Sequence, residues 1–374
     1  MRFTLSSSAL NNRLQALAKV INSKNSLPIL DCFLFEVSGN QLNITASDSE
    51  NVMQSTLPLD DCSGEGSFAV PNRTILDAVK ELPEQPLTFD VDTNEFKIKI
   101  LYQNGIYNFA AQNAEEYPRA LSVPEAATTV TIDGSELGDS ISRSLFATAQ
   151  DELRPVMNGI YFDLTADSLA IVASDGHKLV RNKNFSVKSD EPTSFILPKK
   201  PATLLKNVMA KDAGEVIIRF DDRSAEVIYG EGKLVCRLIE GRYPNYNSVI
   251  PQDNPNKLTI DRRSLIGALR RVLPFASESS QLIRFHLEPG KLELTSKDVD
   301  FATSAQENIT CDYSGMKMDI GFKGSSLSEI LNNLGSDEVS IELADPSRAG
   351  IIVPVSQPEN QDILMLIMPM LLND

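Results

Sequence analysis

The strongest constraint on this chain is that it repeats. A short strand-like run, FTL (3–5), followed by polar residues and a helical pattern, returns as VTI (130–132) and LTI (258–260), at offsets of 127 and 128 residues. ITASD (44–48) returns as IVASD (171–175) and, more loosely, as LTSKD (294–298). FAVP (68–71) returns as FILP (195–198) and IGFK (320–323). Tyr117-Pro118, Tyr243-Pro244 and Met368-Pro369 close the three units at offsets of 126 and 125. Four landmarks in one order at nearly one spacing predict three domains, 1–123, 124–250 and 251–374.

Each unit has the same grammar: a strand, an amphipathic helix, several strands, a second helix and more strands. Leu265, Ala268, Leu269, Val272 and Leu273 share one helical face, as do Leu10, Leu14, Leu17, Ala18 and Ile21. Ser8, Ser135 and Asp261 are the candidate helix caps. LTFDV (87–91), FKIKI (96–100), EVIIRF (215–220) and SIELA (340–344) read as strands, and SGN (38–40) and EPG (288–290) as turns. Two helices against six or more strands per unit predict an α+β class, with helices segregated to one side of antiparallel sheet.

With 42% hydrophobic and 23% charged residues over 374 positions, the chain reads as globular and not disordered. No apolar run reaches the ~18–20 residues of a membrane span, and MRFTLSSSAL lacks the apolar core of a secretion signal. A soluble, cytoplasmic protein without a membrane partner is expected. Cys32, Cys62, Cys236 and Cys311 are far apart with no C-x-x-C pair, which predicts reduced thiols, no metal and no cofactor.

A net charge of −16 argues against a nucleic-acid partner until its distribution is examined. The six predicted helical segments, 6–24, 71–81, 135–149, 198–211, 261–273 and 323–333, hold 15 basic and 6 acidic residues. The rest of the chain is net −25. Arg263 and Arg270 are expected to project away from the Leu265/Leu269 stripe. A basic helical layer on an acidic protein suits a polyanion, and sequence-blind phosphate contact fits best, since no zinc-finger spacing, RNP-like run or basic zipper is present.

Repeated domains with helices on one side suggest a curved, helix-lined wall. At about 8–10 Å between helices, six closed on themselves leave an opening under ~10 Å after helix thickness is subtracted, too small for a duplex. Twelve leave about 20–28 Å on the same spacing, so a duplex-sized hole needs a head-to-tail pair of chains.

Bond chemistry has little support. Only His177 and His286 are present, and the Asp175 two residues before His177 is more simply a turn residue, repeated as Asp48 and Asp298. No nucleophile elbow, Walker A or H-E-x-x-H occurs, and GEGK (230–233) lacks the P-loop spacing. No catalytic residue is assigned. The competing class is a scaffold that binds proteins but not DNA.

The repeat, together with SLPIL (26–30), FAVPNR (68–73), ASDGHKL (173–179), LPKK (197–200), EGRYPNY (240–246) and MPM (368–370), resembles the bacterial β sliding clamps, the processivity subunits of replicative DNA polymerase III. The resemblance covers the whole chain. It implies half of a six-domain ring, a homodimer that encircles double-stranded DNA without catalysis. Implied partners are the clamp loader, the polymerase III catalytic subunit, and other polymerases and repair proteins that dock a short peptide. It implies DNA contacts at Lys24, Arg73, Gln150, Lys199 and Lys200. It implies a peptide cleft between the second and third domains, at Met157, Ser174, Gly176, His177, Lys178, Leu179, Pro244, Val249, Ile367, Met368, Pro369 and Met370. Dimer contacts would join Tyr107 and Phe109 to the region of Pro274 and Phe275.

The chain departs from the pattern at three places. Leu371, Leu372, Asn373 and Asp374 follow MPM where a basic residue is expected, which implies a more apolar rim and a more acidic chain end. Pro155-Val156 replaces an expected tyrosine pair, and an aromatic expected near Ser326 is absent, which implies a more open wall.

Overall fold

The structure is a computed structural model that describes residues 1–118, 121–210, 214–230 and 232–372. Lys211, Asn373 and Asp374, used in the charge and tail readings above, lie outside the described residues. Among the described residues there are six helices: α1 (Ser7–Leu17), α2 (Asn72–Val79), α3 (Gly134–Leu145), α4 (Lys199–Met209), α5 (Arg262–Val272) and α6 (Gly324–Asn333). Every described strand pairing is antiparallel. The α+β class with paired helices on antiparallel sheet is the observed architecture.

The chain forms two compact units, residues 1–138 with 200–238, and residues 139–199 with 239–374. The first unit holds a five-stranded and an eight-stranded sheet, the second a nine-stranded and a four-stranded sheet. The repeats share sheets. In the first unit Gly232–Arg237 pairs with Asn51–Pro58; in the second Lys178–Asn184 pairs with Gln361–Ile367.

Helix starts obey the repeat more closely than the sequence reading allowed. The Ser6 hydroxyl accepts the Ala9 amide at 3.1 Å. The Asp133 carboxylate accepts the Ser135 and Glu136 amides at 2.9 and 3.2 Å, and Asp261 accepts the Ser264 amide at 2.7 Å. Asp261 is therefore the cap expected, whereas Ser6 and Asp133 replace Ser8 and Ser135. The reason is positional: each helix starts directly off the last residue of its leading strand, so the cap is the strand's final residue. Residues 6, 133 and 261 keep the offsets of 127 and 128.

The apolar faces follow the predicted periodicity over the helical residues themselves. Leu10, Leu14 and Leu17 are buried on α1, and Leu265, Ala268, Leu269 and Val272 on α5, while Arg263 and Arg270 are exposed. The first helix is shorter than expected. It ends at Leu17, so Ala18 and Ile21 are only half-buried in the following loop, where Val20 takes the buried position. Pro274, two residues past α5, cannot continue the helical ladder. The predicted strands appear as Pro86–Asp92, Lys97–Tyr102, Glu215–Phe220 and Glu338–Leu343. Phe96 falls outside its strand at φ +51°. Register places Phe3 opposite Phe89, stacked at 4.8 Å, beside Phe35 and Phe68, which seats the core of the first repeat.

Candidate functional site

The ITASD repeat is a repeated turn. The Asp48 carboxylate accepts the amides of Glu50 and Asn51, Asp175 those of His177 and Lys178, and Asp298 those of Asp300 and Phe301. Each is the side-chain-to-backbone bond that lets aspartate close a tight turn. The Asp175-His177 pairing is thus carboxylate to backbone amide, the turn role expected of it.

That turn presents His177. Gly176 sits at φ +91°, a conformation glycine adopts without strain. The Ser174 hydroxyl accepts the Gly176 amide and donates to the Lys178 carbonyl. Lys178 points into structure: it ion-pairs Asp175 at 2.9 Å and Glu329 at 3.2 Å, with its ammonium 5.9 Å from the centre of the Phe146 ring. Burial opposes both charges, yet their mutual hydrogen bonding outweighs it, holding Asp175 below and Lys178 above their usual ranges.

The terminal Met-Pro-Met run crosses between two sheets. Gln361–Ile367 pairs with Lys178–Asn184, and Met368 extends that ladder by donating its amide to the His177 carbonyl at 2.8 Å. Met370 then donates to Gly321 at 2.7 Å, on the edge strand Met318–Lys323 of the four-stranded sheet. Pro369, which has no amide hydrogen, occupies the one position between these two donations where none is required. Gly321 is needed for the crossing: a Cβ there would lie 2.8 Å from the Met370 carbonyl oxygen and 2.9 Å from a Leu372 methyl.

A cavity of about 550 Å³ lies along this run. It is lined by His177, Ile367, Met368, Pro369 and Met370 of the expected cleft, together with Ser279, Ser280, Lys323, Ser326 and Leu371. The remaining expected residues do not line it. Met157, Ser174, Lys178 and Leu179 are buried beneath the surface, whereas Gly176, Pro244 and Val249 are exposed. Sequence reasoning missed Ser279, Ser280 and Lys323 as wall residues. Ser326 does stand in the wall, as the replaced aromatic implied, and Leu371 is 85% exposed, which makes the rim apolar.

The basic residues named for DNA fall into two local groups. In the first unit, Lys24 is exposed in the loop after α1, and Arg73 is exposed in the first turn of α2. Lys200 reaches into the same loop, donating to the Val20 carbonyl and Asn22 at 2.6 Å and ion-pairing Asp48. The far end of that loop is tied to α2 by Asn72 donating to the Asp31 carbonyl. In the second unit, Gln150 is exposed beside Ala149, whose carbonyl accepts from Lys199 at 2.6 Å. Partial burial lowers the Lys199 pKa, a shift opposed by Asp175 and reinforced by Lys178.

Tyr107 and Phe109 are half-buried on Gly105–Ala110, the outer strand of the five-stranded sheet. Pro274 and Phe275 are exposed, next to the hairpin that carries Thr303–Thr310, the outer strand of the four-stranded sheet. Cys32 and Cys236 are buried and Cys62 and Cys311 half-buried, all four as free thiols. No group of three or more metal-ligating side chains occurs among the described residues. No described helix is long and apolar enough to cross a membrane.

Comparison with known proteins accounts for nearly the whole chain. Residues 1–122, 131–245 and 247–371 match the N-terminal, central and C-terminal domains of the DNA polymerase III beta subunit. The beta sliding clamp of Pseudomonas aeruginosa is 28% identical over 371 residues, covering 99% of this chain and 100% of that protein. That of Caulobacter vibrioides is 25% identical, covering 98% and 99%. The crystal structure of the Pseudomonas aeruginosa clamp bound to griselimycin superposes with a TM-score of 0.93 at 27% identity, covering 100% of both chains. The Thermotoga maritima beta subunit gives 0.89 at 25%, again over 100% of both.

Proposed function

Since the chain belongs to the DNA polymerase III beta-subunit family, the sliding clamps, we propose that two copies close head to tail around duplex DNA and tether replication proteins to it. Three domains per chain, 1–123, 124–250 and 251–374, make the ring six-membered. By family the protein is a non-catalytic processivity factor. The observation that carries the reading is the partition of charge, with 10 basic to 4 acidic residues in the six described helices of a chain of net charge −16.

Duplex DNA is met without regard to sequence through Lys24, Arg73, Gln150, Lys199 and Lys200. Contacts of this kind stay few, because retention by enclosure needs no tight phosphate binding and tight binding would brake sliding. Gly105–Ala110 of one copy and Thr303–Thr310 of the other supply open strand edges of the kind that join by strand addition. Tyr107, Phe109, Pro274 and Phe275 bury apolar surface at that joint. The clamp loader, the polymerase III catalytic subunit, and other polymerases and repair proteins dock a leucine- or phenylalanine-bearing peptide in the cavity beside Met368–Met370. The protein works in the cytoplasm, where the DNA is.

The test is topological. Protein loaded by its loader onto circular DNA should remain bound through gel filtration and leave once the circle is cut. Retention on linear DNA with free ends would overturn enclosure.

A further inference from the structure

The terminal segment that walls the peptide cavity on one side walls a second cavity on the other. Leu371 lines the first, and Leu372 lines a neighbouring cavity of about 370 Å³ on the outer face of the four-stranded sheet. Register fixes their adjacency: Lys323 of the first cavity pairs with Leu282 of the second, and Gly321, under Met370, pairs with Arg284. Beyond Arg284 the second cavity continues over Thr295 and Lys297 to Ser304 and Gln306.

The strip is cationic although the chain as a whole is acidic. The two cavities are lined by His177, Lys323, Arg284 and Lys297, and by no carboxylate among the described residues. Asp319 already holds Arg284 at 3.0 Å, which leaves Lys297, exposed on Lys291–Asp298, as the forward cation. The apolar wall of the first cavity thus passes, across a two-residue ridge, into a polar, cationic shelf.

We infer that the shelf formed by Leu372, Arg284 and Lys297 is an extension of the peptide cleft, and that it reads an acidic residue flanking the apolar anchor of a partner peptide. The inference rests on the cleft reading given above and adds a second determinant to it. Lys297 stands two strands in from the edge strand Met318–Lys323. At about 4.8 Å per strand the step is ~10 Å, or about three extended residues. The acidic residue therefore sits three or four positions from the anchor.

The experiment uses the full-length protein and labelled peptides with a Ser-Leu-Ser-Leu-Phe core, extended on either side by four residues. The third and fourth of these are Asp-Asp in one set and Asn-Asn in the other. Fluorescence anisotropy at low salt should show one Asp-Asp peptide binding about threefold more tightly than its Asn-Asn counterpart, the size of an exposed ion pair. Lys297→Gln should abolish that ratio, and Lys297→Glu should reverse it. Met368→Ala should weaken both sets equally. Equal affinity of the Asp-Asp and Asn-Asn peptides, or a preference that survives in Lys297→Glu, would overturn the acidic shelf while leaving the cleft standing. No binding by any peptide would overturn both.

Discussion

The amide of Met368 donates to the carbonyl of His177 at 2.8 Å, joining a residue near the end of the chain to the turn after Ser174. One wall of the cavity is therefore built from two segments that depend on each other for position. Met368 is 40% exposed at its mouth. Met368→Ala and Met370→Ala should each weaken partner peptide about tenfold, the scale of about 1.4 kcal/mol for one apolar contact, and leave the dimer intact. Isothermal calorimetry together with sedimentation checks this, and unchanged peptide affinity would remove the cleft assignment.

Lys200 and Asp48 form a tie within the first unit, with the Asp48 side chain 4% exposed. Replacing Lys200 leaves that carboxylate buried with one partner fewer, at a cost of about 1–3 kcal/mol. Lys200→Glu should therefore lower both unfolding temperature and DNA retention. Double replacement, Lys200→Met with Asp48→Asn, should recover stability while DNA retention stays reduced. Recovery of both would assign Lys200 a purely structural role.

Asp175 makes the same argument testable by pH. Its carboxyl titrates below its usual range despite burial, because Lys178 and the turn amides bond the charged form. Its stabilisation is complete above the unfolded-state value of about 3.9 and is lost as pH falls through the lowered folded-state value. Asp175→Asn should flatten the acid limb of the stability curve and leave stability near pH 7 reduced. Denaturant unfolding from pH 2 to 7 measures both.

Leu265 is fully buried on the inward face of α5. Leu265→Ala should cost about 2–5 kcal/mol, read by urea unfolding, whereas Arg263→Ala on the exposed face should fall within about 0.5 kcal/mol of wild type.

Burial raises the Cys236 thiol to about 12 and, with Asp31 adding to it, that of Cys32 to about 11. A thiol reagent at pH 8 should leave both unmodified in the folded protein, because the thiolate is the reactive form. Rapid labelling of either would show that its strand opens.

What was legible in the residues was whatever local chemistry decides. The strand-cap-helix starts, the buried faces of α1 and α5 and the aspartate turns at 48, 175 and 298 depend on groups within a few positions of one another. Their triple occurrence identified the architecture. Even the two misplaced caps, Ser8 for Ser6 and Ser135 for Asp133, were errors of two residues that the repeat spacing itself corrects.

The site divided differently. ASDGHKL and MPM meet at one cavity, yet sequence could not say that His177 faces that cavity while Lys178, one residue on, is spent on Asp175 and Glu329. Nor could it bring in Ser279, Ser280 and Lys323, or commit Lys200 to Asp48 across 152 positions. The amino-acid order by itself determined the repeated unit, its helix faces and its turns, because these arise from periodicity and hydrogen bonds inside a short stretch of chain. Tertiary structure alone decided which polar groups are exposed and which are already paired, because burial and pairing are set by neighbours that folding, and not sequence proximity, supplies.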